Sequence, residues 1–258
     1  MKDLDRVHGR QKRLRGNLSY MVKKAVCLIS GGLDSCVTAF IAKESGYVIY
    51  ALSFNYGQRH KREIESAKKI ASAVNAEKHI IFDIDLYKFG GSALTDNSLS
   101  IPDGQNLENI GKSIPSTYVP ARNTVFLSIG LAYAESVNAE ALYIGATAMD
   151  YSGYPDCRPE YIDAYQKMAN LATKKGVEGH PIGIEAPLLY LSKTKIIKKG
   201  SELNVPFEKT WSCYQGGMKP CGKCDSCLLR LKGFKEAGLK DPLTYEVMPD
   251  WYQQSTSL

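Results

Sequence analysis

Two groups of residues in this chain could do chemistry. The first is Ser30-Gly31-Gly32-Leu33-Asp34-Ser35, which follows the apolar run Ala25-Val26-Cys27-Leu28-Ile29. Two glycines let a strand turn sharply and leave backbone N–H groups uncovered. A helix starting at once adds unpaired N–H donors and a partial positive charge, so the junction is an anion site. Ser30 and Ser35 add hydroxyl donors, and Asp34 suits a Mg²⁺ ion that accompanies phosphate. The chemistry implied is the binding of a nucleotide triphosphate or its pyrophosphate. The candidate contact stretch is Ile29, Ser30, Gly31, Gly32, Leu33, Asp34, Ser35, Cys36, Val37, Thr38 and Ala39. A plain strand-to-helix turn with a serine cap is the ordinary alternative.

The second group is Cys213, Cys221, Cys224 and Cys227. Two Cys-x₂-Cys spacings let neighbouring sulfurs turn around one ion, and Gly216, Gly217 and Gly222 permit the bends. Four thiolates make a closed tetrahedral site, the usual form of one structural Zn²⁺ per chain. Lys219, Lys223 and Arg230 can offset its net negative charge. An iron–sulfur cluster is the competing reading, but the ferredoxin continuation Cys-x₃-Cys-Pro is absent. Cys27 and Cys36 read as small buried hydrophobes. Cys157 has no base placed beside it by sequence, and His60 and His180 have no metal-ligand spacing.

These residues need a scaffold. Apolar, β-branched runs at Val26–Ile29, Tyr47–Phe54, His79–Asp83, Ala141–Gly145 and Gly183–Ala186 alternate with helical patterns. The latter fall at Ser35–Glu44, Arg62–Val74, Asn123–Val137, Tyr161–Thr173 and Lys193–Gly200. Such alternation predicts an α/β fold, a doubly wound, mostly parallel five-stranded sheet, with a C-terminal Cys₄ zinc subdomain. Ligands of such sheets sit at the carboxyl ends of the strands, where the Ser30–Ser35 loop lies. Leu86–Pro120 has no clear period and is too long for an ordinary connection, so it reads as a functional loop or a small helical insertion.

Composition narrows the partners. The net charge is +6, and residues 1–24, with eight basic and two acidic groups, account for all of it. The remainder is neutral and gives no sign of a nucleic-acid surface. Residues 1–20 are expected to be a disordered basic extension, or to precede a true start at Met21. The reading then divides the chain into a nucleotide-binding domain at 21–206 and a zinc-binding subdomain at 207–258, packed as one catalytic unit. No apolar stretch approaches a membrane span and no secretory signal is visible, so a cytoplasmic protein is expected.

The loop resembles the pyrophosphate loop of N-type ATP pyrophosphatases. Other segments narrow this further: Asn55-Tyr56-Gly57-Gln58-Arg59-His60, then Glu63 and Glu65, then Val119-Pro120-Ala121-Arg122-Asn123. Ile144-Gly145 and Asp150-Tyr151-Ser152-Gly153-Tyr154-Pro155-Asp156-Cys157-Arg158 follow, then Ala186-Pro187-Leu188, Lys193 and Ser212-Cys213-Tyr214. In this order, from about Val22 to Pro242, the set resembles the 7-cyano-7-deazaguanine synthase family of queuosine and archaeosine precursor synthesis. One departure is Ala121, where the resemblance leads us to expect Gly; the added methyl should be tolerated, with at most a small shift of that turn.

The resemblance implies an adenine nucleotide alpha hydrolase-like, Rossmann-like fold. It also implies a carbon–nitrogen ligase that turns 7-carboxy-7-deazaguanine and ammonium into the nitrile with ATP and Mg²⁺. Adenylated acid and amide intermediates would release AMP and pyrophosphate. Asp34, Arg122 and Lys193 are then the candidate catalytic residues. Tyr56, Gln58, Tyr154, Asp156 and Arg158 are candidates for reading the deazaguanine face and edge. A homodimer is compatible with the resemblance, and direct nucleic-acid binding is not expected. Two rivals stand beside it: a tRNA-modifying ATP pyrophosphatase of the thiolation or lysidine type, and a non-enzymatic zinc-ribbon module on an inactive nucleotide fold.

Overall fold

The computed structural model describes residues 22–96, 98–102, 114–149 and 154–253. The expected extension at 1–20 and the segment Asp150–Gly153 lie outside the described residues. Five strands form one parallel sheet: β1 (Lys24–Leu28), β2 (Val48–Asn55), β3 (Lys78–Asp83), β4 (Ala141–Tyr143) and β5 (Gly183–Glu185), in the order β3-β2-β1-β4-β5. The order reverses between β1 and β4, which defines the crevice of a doubly wound fold. β4 leaves the ladder earlier than its apolar run suggests, although the Ile144 N–H still donates to the Glu185 carbonyl at 2.9 Å.

Side chains of a strand alternate between faces, and β1 shows the consequence. Ala25 and Cys27 pack in one core, together with Ile29 just beyond the strand, while Val26 and Leu28 pack in the other. The first core is covered by α1 (Leu33–Glu44), α2 (Arg62–Ala73), α6 (Lys193–Glu202) and α7 (Asp225–Glu236). The second is covered by α3 (Arg122–Ser136) and α4 (Pro159–Ala172), after which comes the single turn α5 (Lys174–Val177). A third core gathers the four clustered cysteines with Trp211, Leu231 and Tyr245, and Ile101 joins it from the long stretch before α3. No helix among the described residues is long and apolar enough to cross a membrane.

Three helices go beyond the sequence expectation: the single turn α5, α7 and the short α8 (Asp250–Gln253). Cys227, Leu228, Leu231 and Phe234 do carry a helical period in α7. Arg230 and Gly233, both buried, interrupt that apolar period in the sequence. Ala121, before α3, takes the left-handed conformation at φ 52° and ψ 23°, a position that favours glycine.

Candidate active site and metal centre

The loop from β1 into α1 owes its course to two glycines. Gly31 sits at φ +92°, and a Cβ there would lie 2.2 Å from the Glu63 carbonyl oxygen of α2. Gly145, after β4, lets the start of α1 approach; a Cβ on it would lie 2.9 Å from the Ser35 nitrogen. The helix N-terminus is thus wedged into the crevice between β1 and β4. Within the loop, Ser35 Oγ donates to the Gly32 carbonyl at 3.0 Å and lies 3.1 Å from Ser30 Oγ.

A cavity of about 280 Å³ opens in front of this loop. Ile29, Ser30, Gly32, Leu33, Asp34 and Ser35 line it, together with Tyr56, Arg122, Tyr154 and Lys193. Cys36, Val37, Thr38 and Ala39 do not reach it; they are buried on the core side of α1. Lys193, the first residue of α6, places its Nζ 2.7 Å from both carboxylate oxygens of Asp34. The Arg122 guanidinium, at the start of α3, lies 5.9 Å from the Tyr56 ring centre and 6.0 Å from that of Phe126. Burial works against its charge, but Tyr56, Tyr154 and Asp156 around it raise its pKa. Burial also pushes the Tyr56 and Tyr154 phenols up, so both remain neutral donors.

Three of the expected base-reading residues do not line the cavity. Gln58 folds back, its Oε1 accepting from the Tyr56 N–H at 2.8 Å and its Nε2 donating to the Phe54 carbonyl. Asp156 is buried and accepts from the Asn123 N–H at 3.0 Å, so it caps the first turn of α3 beside Arg122. Arg158 is exposed and donates to the Pro155 carbonyl at 3.2 Å.

Other lining residues have no site role assigned from the sequence. Trp211, Ser212 and Tyr214 approach from the segment before α7, and the Trp211 N–H donates to the Gly31 carbonyl at 2.8 Å. Cys157 also lines the cavity, but burial pushes its thiol up to about 12, which leaves it un-ionised at neutral pH. Glu63 is the most unusual member. Burial pushes its carboxyl up to about 7, with Arg122 opposing the rise. A charged residue in the first turn of a helix was legible at Glu63, but its direction was not.

Beside this cavity the four cysteine sulfurs lie within 4.8 Å of one another. None forms a disulfide. Cys221 and Cys227 place their sulfurs 3.9 Å apart. The N–H groups of Gln215 and Cys221 donate to Cys213 Sγ, and those of Lys223 and Cys224 to Cys221 Sγ, at 3.3–3.4 Å. Cys224 caps α7 and Cys227 lies in its first turn, where the helix end favours a negative sulfur. Contacts with Cys213, Cys224 and Cys227 push the Cys221 thiol well below the usual range. This set could hold a metal ion.

A doubly wound parallel sheet with a glycine-bearing strand-to-helix loop at its switch point, a lysine–aspartate pair and a four-cysteine cluster that could hold a metal ion defines an α/β protein of the nucleotide-binding type. The chain belongs to the family described as queuosine biosynthesis protein QueC, whose profile matches residues 24–238. The 7-cyano-7-deazaguanine synthase of Trichodesmium erythraeum is 58% identical over 220 residues, covering 85% of this chain and 99% of that one. The protein of the same name from Coxiella burnetii (strain RSA 331 / Henzerling II) is 58% identical over 227 residues, covering 87% and 98%. Among solved structures, the NMN synthetase of Francisella tularensis aligns with a TM-score of 0.44 at 17% identity, over 86% of this chain and 80% of that one.

Proposed function

We propose that this protein is an ATP-dependent ligase that converts 7-carboxy-7-deazaguanine and ammonia to 7-cyano-7-deazaguanine. The observation that carries the reading is the cavity in which the Ser30–Ser35 loop, the Asp34–Lys193 pair and Arg122 face the aromatic rings of Tyr56 and Tyr154. Relatives of that printed name, aligned over nearly their whole length, support it.

The chemistry follows from what a carboxylate lacks. Its oxygen is a poor leaving group, so ammonia cannot displace it. Transfer of AMP to that oxygen, with pyrophosphate held by the loop N–H groups and the two serines, gives an acyl adenylate that ammonia can attack. The amide formed still carries one oxygen. A second adenylation and loss of AMP leave the nitrile, so two ATP are consumed per product. Lys193 and Arg122 stabilise phosphate charge, and Tyr56 and Tyr154 flank the base. Asp34 would hold the Mg²⁺ that accompanies ATP, an ion that neutralises phosphate charge. That role requires Asp34 to give up part of its contact with Lys193.

The cysteine cluster fits Zn²⁺ in a structural role. Sulfurs about 2.3 Å from a tetrahedral ion lie roughly 3.8 Å apart, close to the Cys221–Cys227 separation of 3.9 Å. Four protein ligands leave no open position, so the ion's contribution is to hold Cys213 and α7 together. The segment Trp211–Tyr214 is thereby fixed as a wall of the cavity.

The test is incubation of the protein with 7-carboxy-7-deazaguanine, ATP, Mg²⁺ and ammonium, with mass analysis of the products. The nitrile, AMP and pyrophosphate are expected. ADP and phosphate as the only nucleotide products would overturn the adenylation mechanism. Steeply salt-dependent binding of tRNA would favour the tRNA-modifying alternative instead.

A further inference from the structure

Each half of the proposed reaction must remove protons from nitrogen. The adduct of ammonia with the acyl adenylate carries an N–H₃⁺ group, and the adenylated amide becomes a nitrile only by losing N–H protons. The phosphate-binding residues offer no base for this, since Lys193 and Arg122 are cations and Asp34 is engaged by Lys193 and, in the reading above, by Mg²⁺.

Glu63 lines the same cavity from the first turn of α2. Its backbone carbonyl abuts Gly31 of the phosphate loop, while its carboxyl interacts electrostatically with Arg122 and Tyr56. It therefore borders both the loop that would hold phosphate and the aromatic residues that would flank the base. Among the described residues its carboxyl has no hydrogen-bond or ion-pair partner. The residue is half-buried, and its carboxyl is open to a ligand in the cavity.

We propose that Glu63 is the general base that accepts the N–H proton as AMP leaves, an assignment that rests on the adenylation reading above. In the first half, a proton passes from the –NH₃⁺ of the tetrahedral adduct to Glu63. The oxyanion pair reforms C=O, and the C–O bond to AMP breaks with its electrons on AMP. In the second half, attack of the amide oxygen on ATP gives a protonated imidate that sheds one N–H proton to solvent, and the neutral imidate then gives its remaining N–H proton to Glu63. The N–H bond pair becomes the third C–N bond, and AMP leaves with the C–O pair. Glu63 returns each proton to solvent. Burial pushes its carboxyl up to about 7, which matches a base to a reaction near neutral pH. The other charged and titratable groups lining the cavity are Asp34 of α1, Tyr56 after β2, Arg122 of α3, Tyr154 and Cys157 before α4, Lys193 of α6, Tyr214 before α7, and Arg230 of α7.

The test uses 7-amido-7-deazaguanine with saturating Mg·ATP, which isolates the second half-reaction from the titration of ammonium. The wild-type kcat for nitrile formation should fall tenfold per pH unit below about 7. Glu63→Gln should lower kcat at least about 100-fold and lose that acidic limb, while ATP–pyrophosphate exchange dependent on the carboxylic acid falls less than tenfold. A Glu63→Gln enzyme with kcat within threefold of the wild type and an unchanged acidic limb would overturn the assignment. If that variant fails to fold, the wild-type profile decides: a kcat flat from pH 6 to pH 8 overturns it equally. Absence of acid-dependent exchange in the wild type would instead overturn the adenylation reading itself.

Discussion

Arg230 offers a quantitative check on how the C-terminal segment is tied to the sheet. Its side chain is 2% exposed and that of Asp241 1%. The guanidinium donates to both Asp241 oxygens, at 2.7 and 3.0 Å, to Thr210 Oγ1 at 2.6 Å and to the Phe207 carbonyl at 3.1 Å. Arg230→Met would leave a buried carboxylate with only the Tyr245 hydroxyl and the Leu243 N–H as donors. Breaking one side of a buried pair costs about 3–5 kcal/mol. At the steepness expected for a chain of this size, Tm should fall by about 6–20 °C. The double variant Arg230→Met/Asp241→Asn keeps an acceptor for Tyr245 but buries no charge. It should therefore recover at least about 2 kcal/mol relative to the sum of the single changes. Urea unfolding at fixed metal concentration measures all three variants. A loss below about 1 kcal/mol in Arg230→Met, or strict additivity in the double variant, would refute the argument that charge pairing holds this segment.

Ala121→Gly should stabilise the protein by about 0.5–1 kcal/mol, because it removes the left-handed strain of a Cβ at φ 52° at some cost in unfolded-chain entropy; a lower urea midpoint would contradict this. Purified protein should be colourless and carry about one zinc per chain by elemental analysis, and chelation should lower Tm, since a closed site contributes folding free energy. Stoichiometric iron with visible absorbance would reject that assignment. Burial holds the Cys36 and Cys157 thiols at about 12, above the ordinary value of 9.0. Their raised pKa values contribute stability that is complete below about pH 9 and lost as pH rises toward 12. The urea midpoint should therefore decline above pH 9, and Cys36→Ala/Cys157→Ala should flatten that decline; an equal decline in both proteins would remove thiols as its cause.

The sequence by itself determined the features that depend on near neighbours. Alternating apolar residues in the strands and the 3.6-residue period of the main helices dictated a parallel α/β sheet, since burial must match backbone geometry. Ser30–Ser35 was legible because glycine at Gly31 and a helix start are local requirements, and the cysteines because thiolates at short spacing have few other uses. Tertiary structure decided the directions of side chains on polar loops, where no period constrains them. Lys193 meets Asp34 across 159 residues. Asp156, which reads as a base-recognising carboxylate, instead caps α3. Trp211, packed with the cysteine cluster, donates its N–H to the Gly31 carbonyl across 180 residues of sequence. Glu63 shows the same division: a glutamate in a helix's first turn is ordinarily solvated, but here α2 packs against the phosphate loop and Glu63 is half-buried at the cavity wall. Desolvation depends on every atom that surrounds a group, and those atoms come from segments far apart in the chain.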